Sequence, residues 1–123
     1  MDTLLLQDWI TVQGFAPTVS AITQAADSWL DMGDYEDIVL YADATGVTGT
    51  VLFAVQTAPS RQETSFVNMF NAGGGTPAGV HALPLLGPYA GVPVSRFLRW
   101  QVTTTGTGLW GATFRLLLAA YSL

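Results

Sequence analysis

The chain has 123 residues, half of them hydrophobic and only 11% charged, with a formal charge of −5 at pH 7. A length of this order suits a single domain over 1–123 that buries roughly two-thirds of its unfolded surface, and charge this far below the usual ~25% leaves the outside to Thr, Ser, Gln and Gly or to other subunits. The absence of cysteine excludes disulfides, zinc–thiolate sites and thiol chemistry, and four arginines without a lysine give no basic patch for nucleic acid.

Residues 4–12 predict a first strand that stops before Gly14 and Pro17, so 1–17 reads as a strand or an N-terminal arm. Asp2 and Asp8 flank Leu4-Leu5-Leu6 with no basic segment ahead of them, unlike a secretory leader. No apolar run reaches the ~20 residues of a membrane span, and the chain is expected to be soluble and made in the cytoplasm. Residues 18–32 carry both a helical stripe (Val19, Ile22, Ala26, Trp29) and a strand-like end, and are read as mostly extended. A turn follows at 31–34. The runs 38–44 and 51–57 flank Thr45, Gly46, Thr48, Gly49 and Thr50, which predicts an antiparallel hairpin.

Residues 61–70 read as a strand, and 71–79, with Gly73, Gly74 and Gly75, as a glycine-rich exposed loop. A short apolar strand over 80–86 leads into a proline-rich connection over 87–93. Two strong strands close the chain. In 95–105, Leu98, Trp100 and Val102 alternate with Phe97, Arg99 and Gln101; in 110–123, Trp110, Ala112, Phe114, Leu116, Leu118 and Ala120 share one face. Leu117, Ala119 and Tyr121 make the opposite face of that last strand apolar too, and a two-layered sandwich covers only one face, so a neighbouring subunit or a wrapped terminus is expected on the other. The tally is about seven to eight short strands with regular turns, an all-β antiparallel sandwich or barrel.

Chemistry-bearing constellations are few. His81 is the single histidine, without a second ligand or a nucleophile around it, and reads as a structural or interface residue. Asp31, Asp34, Glu36 and Asp37 could take calcium, but their spacing fits no helix-loop-helix calcium loop, and a solvated acidic rim accounts for them. Gly73-Gly74-Gly75 lacks the Lys and Ser/Thr of a phosphate cradle. Trp9, Trp29, Trp100 and Trp110 admit two readings: sugar-stacking platforms, or core and interface anchors. No catalytic, cofactor or metal residue is assigned.

Five segments carry a family resemblance: Tyr-Glu-Asp-Ile-Val-Leu-Tyr-Ala-Asp at 35–43, Val-Thr-Gly-Thr at 47–50, Gln-Thr-Ala-Pro at 56–59, Arg-Trp-Gln-Val at 99–102 and Ala-Thr-Phe-Arg-Leu at 112–116. Over most of 35–118 the chain resembles small β-sandwich virion proteins encoded beside the major capsid genes of tailed bacteriophages. Where that family often has a polar linker rich in Asp, Gly and Asn after the Gln-Thr-x-Pro turn, this chain has Ser60-Arg-Gln-Glu and the 71–79 segment.

The resemblance implies a jelly-roll or immunoglobulin-like sandwich without enzymatic activity or cofactor. It implies a capsid decoration, or cement, protein on the outer surface of the virion, a homotrimer whose partners are the major capsid protein and itself, with no nucleic acid or membrane partner. Expected contact residues are Leu4, Leu5, Leu6 and Trp9 near the N-terminus, Asn71, Gly73, Gly74, Gly75 and His81 around the glycine loop, and Leu117, Tyr121 and Leu123 at the C-terminus. Alternative readings are a carbohydrate-binding module on a head or tail fibre, and a head–tail connector or tail-tube protein.

Overall fold

The computed structural model describes residues 2–33, 35, 37–72, 79–85 and 94–121. Among these, nine strands form two antiparallel sheets. Sheet A runs β1 (Asp2–Ala16), β9 (Gly108–Tyr121), β4 (Asp37–Thr48), β7 (Gly79–Leu85). Sheet B runs β2 (Ala21–Thr23), β8 (Phe97–Thr103), β5 (Leu52–Ala58), β6 (Val67–Ala72), and the two-residue β3 (Leu30–Asp31) also pairs with β8. The pairs nest: β1 with β9, β2 and β3 with β8, β4 with β7, β5 with β6. The chain therefore pairs as one long hairpin with its tip between β5 and β6, rolled so that successive pairs fall in alternate sheets. That is the connectivity of a jelly roll, and the expected all-β sandwich is realised in this form.

The core lies where the inner faces of the two sheets meet. From β9 the alternate residues Trp110, Ala112, Phe114, Leu116, Leu118 and Ala120 all point inward and are buried. Phe114 meets Phe53 of β5 and Trp100 of β8 edge-on, with ring centroids 5.2 and 5.1 Å away. Such edge-to-face pairs join the sheets across the sandwich and add to the gain from burial itself. Each buried indole N–H finds an oxygen: Trp100 donates to Gln7 Oε1 at 3.0 Å, Trp110 to the Val19 carbonyl at 2.7 Å and Trp29 to the Gln24 carbonyl at 3.1 Å.

Several local expectations are corrected. The runs 38–44 and 51–57 do not form a hairpin, since β4 lies in sheet A and β5 in sheet B. Gly46 and Gly49 do adopt left-handed conformations, with φ of +60° and +70°, but the turn they make arches between sheets. Gly49 has a second constraint: a Cβ there would sit 3.2 Å from both the Leu109 carbonyl oxygen and the Trp110 Cβ. The first strand runs on through Gly14 to Ala16, because Gly14 lies against the Trp110 indole, where an added Cβ would stand 2.8 Å from Nε1. Residues 18–32 divide into β2, a 3₁₀ turn at Ala26–Ser28 and β3. Residues 61–70 begin with a second 3₁₀ turn, Glu63–Ser65, before β6. Asn71 belongs to β6 and Gly79 to β7, not to a loop; residues 73–78, with Gly73, Gly74 and Gly75, lie outside the described residues, as does Leu123.

One buried polar residue locks the two sheets together. The β1–β9 register shifts between Leu5 and Gln7 and again before Ile10, and a bulge takes backbone groups out of the ladder. Gln24, itself buried, reaches this site: its Nε2 donates to the Leu6 carbonyl at 2.8 Å and to the Ser28 carbonyl at 2.9 Å, while its Oε1 accepts from the Trp100 amide at 3.2 Å. The side chain thus stands in for a missing strand contact between β1 and β8. Replacing Gln24 with Leu strands a buried carbonyl and a buried amide, and the expected loss is roughly 2–4 kcal/mol of unfolding free energy, measured as a lower urea midpoint.

Candidate functional site

The two outer faces of the sandwich are finished in opposite ways. On sheet B the residues that alternate away from the core are nonetheless buried: Ala54, Gln56 and Ala58 on β5, Phe97 and Arg99 on β8. The connecting segments 24–29 and 59–66 fold over them as a roof. Trp29 and Phe66 meet edge-on at 4.6 Å. Arg99, only 4% exposed, lies with its guanidinium 4.1 Å from the Phe66 centroid and 5.4 Å from that of Trp29. Its Nε donates to Gln56 Oε1 at 2.7 Å and its Nη1 to Glu63 Oε2 at 2.5 Å. Arg61 ties the two segments together by donating to the Ala26 carbonyl at 2.7 Å. Arg96 meets Asp31 at 3.2 Å. Hydrogen bonds from Arg96 and from the Gly33 amide hold the Asp31 carboxyl below its usual range. A depressed pKa of this kind contributes stability above the unfolded value and loses it as pH falls through the folded one.

Among the described residues, sheet A has no such roof. Reading along the outward positions of β9, the cross-strand register with β1 and β4 gives a series of rows. Leu109 stands beside Phe15, and Gly111 lies between Gln13 and Thr48. Thr113 lies between Thr11 and Thr45, with the Thr11 and Thr113 hydroxyls 2.8 Å apart. Arg115 pairs with Asp43 at 3.4 Å and lies over the Trp9 ring at 5.2 Å. Leu117 lies between Leu5 and Tyr41, and Ala119 between Thr3 and Val39. Among the described residues seven large hydrophobics are exposed, and five of them (Leu5, Trp9, Phe15, Tyr41, Leu109) sit on strands of this sheet. An apolar concentration of that kind is uncommon on the surface of a solitary soluble protein.

The face also has relief. Gly111 floors a dip of about 100 Å³ bordered by Thr11, Gln13, Thr48, Leu109 and Thr113. A Cβ on Gly111 would run into the Val12 carbonyl oxygen, so the floor must stay bare.

The structure gathers some of the sequence candidates and disperses others. Leu5, Trp9 and Leu117 fall together on the open face, with Tyr121 at its far end. Leu4 packs against the core and Leu6 is part of it, since they alternate with Leu5 towards the other side; Leu6 is therefore not a surface contact of the folded molecule. The His81 backbone pairs with Ala42 in β7, and Asn71 pairs with Ala54 in β6. Phe15, Tyr41 and Leu109 are not among the sequence candidates. A signal exists for Phe15, an apolar residue out of phase with the inward Val12 and Ala16. Of the four tryptophans only Trp9 is exposed; Trp29, Trp100 and Trp110 are buried, so no row of open indoles exists to stack on a glycan. Asp34 and Glu36 lie outside the described residues, and among those described no three His, Cys, Asp or Glu side chains come together to hold a metal.

No protein-family model matches this sequence, and no curated protein does. Among solved structures, the chain is similar to VP2 in the subviral particle of infectious bursal disease virus, with a TM-score of 0.56 and 14% identity over 95% of this chain and 32% of that one. A structure from the Gx strain of the same virus aligns over the same shares with 9% identity and a TM-score of 0.48. The chain thus spans about a third of the length of VP2, and at this identity the likeness is one of fold.

The roof over sheet B makes a contrast that stability measurements can read. Removing one partner of a buried ion strands the other, whereas exchanging the ion for an apolar group of similar length does not. Glu63→Ala should cost about 1–2 kcal/mol, discounted because Glu63 faces water, while Arg99→Met should stay within about 1 kcal/mol of the parent; urea unfolding of the two variants checks the order.

Proposed function

We propose that this chain is a structural component of a virus particle, a decoration protein that binds the outside of a tailed-phage capsid and stabilises contacts between capsomers. The observation that carries the reading is the open apolar face of sheet A, which a solitary molecule leaves wet and an assembly would bury. Two further facts support it. Jelly rolls are a recurrent architecture of viral shells, and the fold resembles that of a protein from a viral particle. The sequence resemblance adds the decoration role, the major capsid protein as partner and the trimer.

The physics suits such a role. A shell filled with nucleic acid is under outward stress, and a protein bridging neighbouring capsomers opposes their separation. Several weak contacts made by one assembly add up by avidity, roughly 10²–10⁴-fold without any new contact. A chain with a net charge of −5 is not drawn to the packaged nucleic acid. No catalytic step is assigned to it.

Shells assembled from a tailed-phage major capsid protein provide the test. Added protein should co-sediment with expanded shells at saturable stoichiometry and raise the temperature at which they rupture. Protein left in the supernatant with both expanded and unexpanded shells would remove the decoration role.

A further inference from the structure

We propose that the open face of sheet A docks a protein surface that carries arginine or lysine on either side of an apolar centre. The inference rests on the preceding reading and deepens it, naming the chemistry of the shell surface that this face would meet.

The first argument is where the chain keeps its acid. The strands of sheet A carry four acids, Asp2, Asp8, Asp37 and Asp43, against one base, Arg115, so they hold −3 of the chain's net −5. The roofed side is balanced, with Asp27, Asp31 and Glu63 alongside Arg61, Arg96 and Arg99. Among the described residues, no arginine forms an ion pair with Asp8, which is exposed beside Trp9. Most of the exposed large hydrophobics therefore share a sheet with the acid excess. That combination selects the partner. Like charge opposes a second copy of the same face, and it opposes a nucleic acid or an anionic lipid surface in the same way. A purely cationic partner answers the acids but leaves Leu5 and Tyr41 wet. The occupant has to bring both kinds of side chain.

The second argument is the order of the rows. Arg115, with Trp9 on one side and Asp43 on the other, lies at the first acidic level. The next two rows towards the end of β9, Leu5–Leu117–Tyr41 and Thr3–Ala119–Val39, carry no charge. Asp37 then pairs with Tyr121. From the level of residue 115 to that of residue 121 is roughly 20 Å at the rise of a strand. A surface that fits presents cations about that far apart with apolar side chains between them.

The third argument is that the face already holds one guanidinium. Arg115 lies 5.2 Å from the Trp9 ring centroid and 3.4 Å from Asp43, and an aromatic face with a carboxylate is the setting that favours arginine. Asp8 adjoins the same ring, and Tyr41, 43% exposed, stands one row further on. A partner's cation finds a second carboxylate and a second aromatic surface there without displacing Arg115. Docking through this face leaves the copies of a trimer to close through other parts of the molecule, since such closure joins two different patches.

The experiment is an amide NMR titration of the isotope-labelled chain with a synthetic peptide. The peptide has about six residues of alternating Val and Thr between paired arginines, which spans the two acidic levels. Shift changes should saturate and fall on Leu5, Trp9, Tyr41 and Leu117, and spare Gln56, Arg99 and Glu63. Peptides with serine in place of valine, or glutamate in place of arginine, should bind roughly tenfold more weakly or worse. Asp8→Asn, which keeps an acceptor for the Trp9 amide, should weaken binding roughly 2–5-fold and lower its salt dependence. Asp27→Asn removes the same charge from the roofed side and should change nothing. Tyr41→Ser should cost roughly fivefold or more, and circular dichroism shows whether each variant is folded. No binding of the arginine-ended peptide, equal binding of the serine-centred one, or shifts on sheet B would overturn the proposal. Sheet A signals that move with protein concentration alone would also overturn it, because copies of the chain would then cover the face. Shells separate the two claims. If parent, Asp8→Asn and Tyr41→Ser bind shells equally, this inference fails and the virion role stands; a chain that takes the peptide on sheet A and ignores shells loses the virion role instead.

Discussion

Strand β9 is apolar on both faces and sits inside sheet A between β1 and β4, and most of the molecule follows from how those two faces are satisfied. The inner face, centred on Phe114, draws β5 and β8 down onto it and makes the sandwich. Burial at ~25 cal/mol per Å² of apolar surface is the main gain here. The outer face has the same need and no element of its own chain lies over it among the described residues. Sheet B meets the equivalent need internally, with two connecting segments that bring Trp29 and Phe66 across its surface.

That asymmetry has an electrostatic consequence. A roof made of loops must hold its polar backbone and its cations in place, and three of the four arginines, Arg61, Arg96 and Arg99, lie on that side with Asp31 and Glu63. Arg99 is tolerable in so dry a position because Gln56, Glu63 and two aromatic faces share its charge. On sheet A, Arg115 and Asp43 pair with each other, and β1 adds the exposed Asp8 beside Trp9. The same chain therefore has one outer surface closed over by its own connecting segments and another that stays open among the described residues.

The strands are legible wherever a residue's environment depends on its own strand. The alternations in β8 and β9, the turn at Gly33 and the sandwich class all follow from period-two patterning. What is not legible depends on distant partners. Gly46 and Gly49 provide a reversal, and reversal chemistry does not say whether the next strand pairs with the last one or crosses to the other layer; the hairpin partner of β5 is β6. Gln24 and Arg99 look like surface residues in sequence, and are buried because their partners lie up to 76 and 43 positions away. For the open face, Leu5, Trp9 and Leu117 can be named from apolarity alone. Phe15 is out of phase with the inward Val12 and Ala16, but that signal is masked because glycine at position 14 reads as the end of β1, whereas Gly14 continues the strand by giving room to Trp110.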